Sequence, residues 1–347
     1  MTTDAAGPTI DWDLAQRVGT RLAGTGPDVD LAQARAAVAD LRWSAQQAVG
    51  HVSDFTGLVA PPDVGGSVVV DRTRWIAANL AGLRTVIDPV MARARLGRGG
   101  AAVPRLAGAE IGAALGLLSG KVLGQYELFT APGSTPQLMF VAPNVVAAEQ
   151  RLGVDPHDFR LWVALHEETH RVQFGAVSWL GPWLRDQIDV YLRGLDLDPR
   201  VLSERLRQGV AVFTGAARGL DMTAVMQSLL TPEQRATLDR LTAVMSLLEG
   251  HADVVMDGVG RDVVPSLDTL RERFQQRRDD PGLLEGFIRR LLGLDAKLRQ
   301  YRDGAKFVRA VVDEVGMNGF NAVWSGPESL PTHDELHAPA IWLSRVR

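Results

Sequence analysis

His166-Glu167-Glu168-Thr169-His170 interrupts a largely apolar stretch running from Leu161 to Phe174, and no other residues in the chain point so directly to a chemistry. Two histidines four apart on a helix lie one above the other on the same face, so both imidazoles can reach one metal ion. Glu167 then stands beside that ion, where a general base would take a proton from a zinc-bound water whose pKa the ion lowers to roughly 7. The competing reading is a buried helix whose histidines pair with carboxylates. That arrangement would leave several buried polar groups in need of partners.

The elements that would hold these groups can be read around them. Asp155 and Pro156 form a helix start, as N-cap and first helical residue. Phe159, Trp162, Val163, Val172 and Phe174 supply apolar residues around the helix, as expected of one largely buried. A zinc site needs a third protein ligand, and the best candidate lies in the segment from Met245 to Asp257. Thr231-Pro232-Glu233-Gln234 opens this second helix with a capping-box pattern, and Gly258 is its expected terminator. Glu249 and Asp253 are four apart and share a face, so one can bind the metal while the other accepts a hydrogen bond from a ligand histidine. Gly250 is expected to let the two metal-bearing helices approach closely. His251 is the rival ligand, although two positions along a helix it points well away from Glu249. A solvated polar face is the alternative for Glu249, His251 and Asp253. The apolar neighbours Val244, Leu247, Leu248, Val254 and Val255 argue against it.

These residues carry a resemblance. An H-E-x-x-H helix followed by a glutamate and, four residues on, an aspartate resembles the gluzincin pattern of thermolysin-like metallopeptidases, in which the glutamate is the third ligand and the aspartate orients a histidine. The phrases Trp162 to Phe174, Met245 to Asp253 and Val122-Leu-Gly-Gln-Tyr126 are more closely similar to the actinobacterial zincin-like metallopeptidase family, whose members are often labelled as associated with deazaflavin coenzyme biosynthesis. The similarity runs from Asp11-Trp-Asp-Leu14 to near the C-terminus. It implies zinc, Zn2+, as cofactor and a cytoplasmic setting, and the family has no firmly established substrate. Seventy-eight residues separate His170 from Glu249, far more than in thermolysin-like enzymes, so the intervening helices must fold back for Glu249 to reach the site. In zincins a strand just before the active-site helix commonly offers its edge to an extended peptide, and Gln137 to Ala142 is placed for that task or for an ordinary hairpin.

The rest of the chain reads as mainly helical. Helices are predicted over 11–24, 30–58, 71–96 and 106–125, and again over 178–194, 199–212, 215–229, 266–277, 282–292 and 294–316. Gln125 to Thr130 and Gln137 to Ala142 read as two short strands. Gly108, Gly112, Gly116, Gly120 and Gly124 recur every four residues, a stripe that costs roughly 1 kcal/mol of helix propensity per glycine and so points to close helix packing. Arg105, Glu110 and Lys121 interrupt this segment, which argues against a membrane span. Across 347 residues the composition is 46% hydrophobic, enough for a substantial core. The net charge of −4 argues against a general nucleic-acid binder, and with no cysteine the metal-binding vocabulary is histidine and carboxylate. The first ten residues have neither a basic nor an apolar signal region, so no secretory signal is read.

The expected fold is therefore mainly α with a small β-element, zincin-like, with an N-terminal helical region (1–125) packed on a catalytic region (126–347). The expected function is zinc-dependent hydrolysis of a peptide or protein substrate, with His166, His170 and Glu249 as ligands, Glu167 as base and Asp253 behind them. Two alternatives stay open: an inactive zincin scaffold that binds a peptide or protein partner, and a zinc amidohydrolase acting on a small molecule. Tyr126, Tyr191, Tyr301, His333 and His337 are candidates for stabilising an oxyanion. The oligomeric state is not readable.

Overall fold

The structure, a computed structural model, describes residues 10–62, 64–93, 102–131, 133–193, 231–260, 262–276 and 301–346. The helices predicted over 199–212, 215–229 and 282–292 lie outside these residues. Helices α1 (Trp12–Leu22), α2 (Leu31–Thr56), α3 (Arg72–Arg93) and α4 (Ala102–Ser119) correspond to the four predicted at the start of the chain, except that the fourth stops at Ser119 instead of running to 125, and Gly124 to Tyr126 form a strand. The glycine stripe of α4 lies against α1. A β-carbon on Gly112 would fall 2.2 Å from the carbonyl oxygen of Ala15, so only a hydrogen fits there. Among the described residues no helix is long and apolar enough to cross a membrane.

A three-stranded sheet carries strands β1 (Ser67–Val70), β2 (Gly124–Tyr126) and β3 (Leu138–Val141). Their order is β1-β3-β2, with β1 parallel and β2 antiparallel to β3. This corrects the expectation for Gln137 to Ala142. Its core, β3, is hydrogen-bonded on both sides and fully buried, so it has no edge to offer. Among the described residues, the sheet edge on the other side of β3 from β1 belongs to β2. Leu123 O accepts from Val141 N at 2.8 Å and Gln137 O from Glu127 N at 2.9 Å. In that antiparallel register the main chain of Gln125 faces β3, and the N–H and C=O groups of Gly124 and Tyr126 point outward.

After β3 the chain enters α5 (Ala142–Leu152) and then α6 (Pro156–Ala176). Asp155 caps α6 as expected, accepting from Asp158 N at 3.0 Å, with Pro156 in the first turn. Helix α7 (Leu180–Arg193) follows, and α8 (Pro232–Val259) begins at the Thr231/Gln234 capping box. Helix α8 runs past Gly258, whose missing side chain accommodates the Phe55 ring, and ends at Gly260 with φ of 86°. Helices α9 (Leu267–Gln276) and α10 (Tyr301–Phe320), two 3-10 turns, and the short α11 (His333–His337) and α12 (Pro339–Val346) complete the described chain.

Helix α8 contributes to two apolar clusters of the described residues. Val244, Leu247 and Leu248 enter one apolar cluster with Phe307, Val311 and Trp342, while Val255 and Met256 enter another with Phe140, Phe159 and Leu165. Gly250 serves this packing, but not in the way the sequence suggested. A β-carbon there would lie 2.2 Å from the Gly304 carbonyl carbon, and one on Gly304 would lie 1.9 Å from Ser246 O. The paired glycines admit α10 to α8, and the approach of α6 to α8 is made elsewhere.

Candidate metal centre and catalytic helix

Helix α6 is buried on most of its circumference, so its polar residues must satisfy one another or a ligand. Glu168, the residue after Glu167, is taken out of contention by a bidentate pair with Arg171, with oxygens 2.5 and 2.7 Å from the guanidinium. Thr169 returns its hydroxyl to Leu165 O at 2.7 Å. His166, Glu167 and His170 remain, and the two imidazoles stand edge to face with ring centroids 4.7 Å apart.

Across from them α8 brings Glu249 within reach. His166 Nε2 and His170 Nε2 are 3.2 Å apart, and each lies 3.6 Å from one oxygen of the Glu249 carboxylate. The fold thus spans the seventy-eight intervening residues, as the Glu249 reading required. Four ligands at zinc distances of about 2.0–2.2 Å in a tetrahedron are separated from one another by about 3.3–3.6 Å. Here the two nitrogens are 3.2 Å apart and each is 3.6 Å from its own Glu249 oxygen, with one ligand atom from each residue within 4.8 Å of the others, so small shifts would bring them to that spacing. Glu249 Oε1 is also buried without a hydrogen-bond partner, as a carboxylate oxygen reserved for a cation would be. Among the described residues this is the group of histidine, aspartate and glutamate side chains that could hold a metal ion.

The electrostatics fit the same use. Burial, reinforced by His170, lowers the pKa of His166 to about 3, and burial lowers that of His170, so both rings are neutral and can donate lone pairs. Burial and then the neighbouring Asp253 push Glu249 up to about 8. Burial, with Glu249 as the second cause, raises Glu167 well above the ordinary carboxylate range. Bringing a cation among these groups would relieve the charges that burial disfavours.

Two residues whose part in the site the sequence reading did not assign complete it: Gln173, and Gly124, which was expected in the helical glycine stripe and lies instead in β2. Gly124 on β2 faces Glu167 so closely that a β-carbon would fall 2.5 Å from Glu167 Cγ. Gln173, fully buried, takes the position at His170 Nδ1, 2.9 Å away. Its signal was present, since Gln173 is three residues past His170 and shares its face. An aspartate was expected to hold a ligand histidine, and for His170 Nδ1 that partner is Gln173. Asp253 is close enough to act electrostatically on both His170 and Glu249. His251 does turn away from Glu249, as its spacing suggested, and meets Gln173 at 3.0 Å.

The oxyanion candidates disperse. Tyr191 is a core residue, and His337 pairs with Asp303 at 3.4 Å while its ring stands edge-on to His333. The Tyr301 side chain lies outside the described part of the structure. Tyr126 alone among the tyrosines sits on the strand beside Glu167, stacked on Phe174 of α6 at 5.9 Å.

The sequence profile of the zincin-like metallopeptidases matches residues 10–343. A crystal structure from Chloroflexus aurantiacus, described as a candidate hydrolase with a novel fold, superposes with a TM-score of 0.73 at 32% identity, covering 97% of this chain and 98% of that one. No curated protein sequence gives a significant match.

Proposed function

This chain belongs to the zincin-like metallopeptidase family, and from that premise we propose that it is a zinc-dependent peptidase with His166, His170 and Glu249 as ligands and Glu167 as general base. The observation that carries the reading is the convergence of one ligand atom from each of His166, His170 and Glu249, all within 4.8 Å of one another, on the helix that carries the buried carboxyl of Glu167. Zinc bound there supplies a Lewis acid and lowers the pKa of a coordinated water to roughly 7. Glu167 takes the proton of the attacking water and passes it to the leaving amine nitrogen. Burial raises its pKa in the zinc-free protein, which makes the carboxylate a stronger base for taking that proton. Asp253 supports the ligands from the next turn of α8.

An extended peptide suits the site better than a compact small molecule, because the outward N–H and C=O groups of Gly124 and Tyr126 lie beside Glu167 on a strand that, among the described residues, pairs on one side only. A peptide added to that edge would have its main chain held in register with the base. The test is Glu167→Gln, assayed on a broad pool of fluorogenic peptides. The variant should keep its fold and zinc and lose a factor on the order of 10² or more in kcat/KM. Cleavage by the wild type that persists undiminished in the zinc-loaded variant would refute the mechanism, and a wild type that binds peptides but cuts none would favour a binding scaffold.

A further inference from the structure

A buried primary amide with both ends engaged reveals the protonation of everything it touches, and Gln173 is such a group. One end meets Leu248 O at 2.9 Å. A carbonyl oxygen only accepts, so that end is the NH2 group. The same NH2 donates to His251 Nδ1 at 3.0 Å, which must be the bare nitrogen of the ring, leaving the His251 proton on Nε2. The other end, Oε1, is then a pure acceptor facing His170 Nδ1 at 2.9 Å, so that nitrogen carries a hydrogen. A neutral imidazole has a single N–H, and His170 Nε2 is therefore left with a lone pair turned toward His166 and Glu249.

We propose that Gln173 is a positioning residue which, locked by Leu248 O and His251, fixes the tautomer and ring plane of His170 for metal binding. The proposal rests on the metal-site reading above. His251 completes the lock because it is itself immobile: it is fully buried, stacked on Phe320 at 5.2 Å and packed against Trp324 at 5.6 Å. Phe320 ends α10 and Trp324 closes the following 3-10 turn, so the C-terminal part of the chain helps to aim a ligand on α6. Gln173 itself is inaccessible to solvent, so no bulk water is at hand to replace its oxygen.

The tautomers are measurable without any substitution, by long-range proton–nitrogen correlation on the zinc-free full chain labelled with nitrogen-15 histidine. His170 protonated on Nδ1 and His251 protonated on Nε2 are expected. A proton on His251 Nδ1, or on His170 Nε2, would overturn the proposal. Zinc affinity, read by chelator competition, tests the consequence. Gln173→Leu should weaken binding on the order of 10- to 100-fold. Combining His251→Phe with Gln173→Leu should cost no more than Gln173→Leu alone, since His251 acts through the amide. Additive losses, or wild-type affinity in a folded Gln173→Leu protein, would also overturn it. Zinc uptake that survives His166→Ala would instead refute the metal site, an outcome told apart because the tautomers are read on zinc-free protein.

Discussion

One methyl group added at Gly124 is expected to disable hydrolysis while leaving the fold and the zinc content in place. An alanine β-carbon there would lie 2.5 Å from Glu167 Cγ, 2.6 Å from Cδ and 2.7 Å from Oε1, where ordinary contact begins at 3.4 Å. The carboxylate must therefore retreat by about 1 Å, and misplacing a reacting group by that much costs on the order of 10² in rate. Glu167 is only 8% exposed, so little free space is open to it. The backbone does not resist the change, because Gly124 is not among the glycines with positive φ. Overpacking costs roughly 1–3 kcal/mol and the less flexible unfolded chain returns about 0.4–1 kcal/mol, so the net loss of stability is at most about 2–3 kcal/mol. The assay is kcat/KM on a fluorogenic peptide pool, with zinc measured on the same samples by elemental analysis and the fold followed by circular dichroism. Gly66→Ala is the control, as its β-carbon would meet nothing within 4 Å. A zinc-loaded Gly124→Ala protein that hydrolyses at the wild-type rate would show that Glu167, in the position seen here, is not the base.

The purified protein should carry about one zinc per chain; failure to take up zinc with His166 and His170 intact would dismiss the site. Glu249→Ala should nearly abolish tight zinc binding and Asp253→Asn should weaken it to an intermediate degree, both read by chelator competition; a zinc affinity unchanged in Glu249→Ala would dismiss the third ligand. Because Glu249 is pushed up to about 8 and must ionise to coordinate, zinc uptake at pH 7 should release about one proton or more, measured by calorimetry in buffers of different ionisation enthalpy; release near zero would show the carboxylate already ionised. The same raised pKa gives the zinc-free protein stability that is present below pH 4.5 and lost as pH rises through 8. The histidines, with lowered pKa values, act in the opposite sense only below about 6.5. Between pH 6.5 and 8 the zinc-free protein should therefore lose stability in thermal unfolding, and the zinc-bound protein should not.

What could be read from the sequence was what local spacing dictates, and what could not was which elements meet. His166 and His170 are four residues apart, so one helix makes them neighbours whatever the rest of the chain does. Asp155, Pro156 and the Thr231/Gln234 box mark helix starts for equally local reasons. Strand β1 shows the opposite case. Val68, Val69 and Val70 are good strand residues, but four residues after a turn-rich run declare no partner, and their partner is β3, some seventy residues on. Without β1 in view, Gln137 to Ala142 looked like an edge, and the edge passed unnoticed to β2. Gly250 carried the same ambiguity: a glycine in a buried helix signals that another backbone comes close, and only the fold reveals that the visitor is Gly304 of α10. The site repeats this division in its chemistry. Glu249 and His251 are two apart on α8, and both prove to face groups on α6, Glu249 the two Nε2 atoms and His251 the amide of Gln173. The polar residues of α8 are thus explained by α6, whose own polar face Glu249 and Gln173 complete, and neither helix could bury those groups without the other.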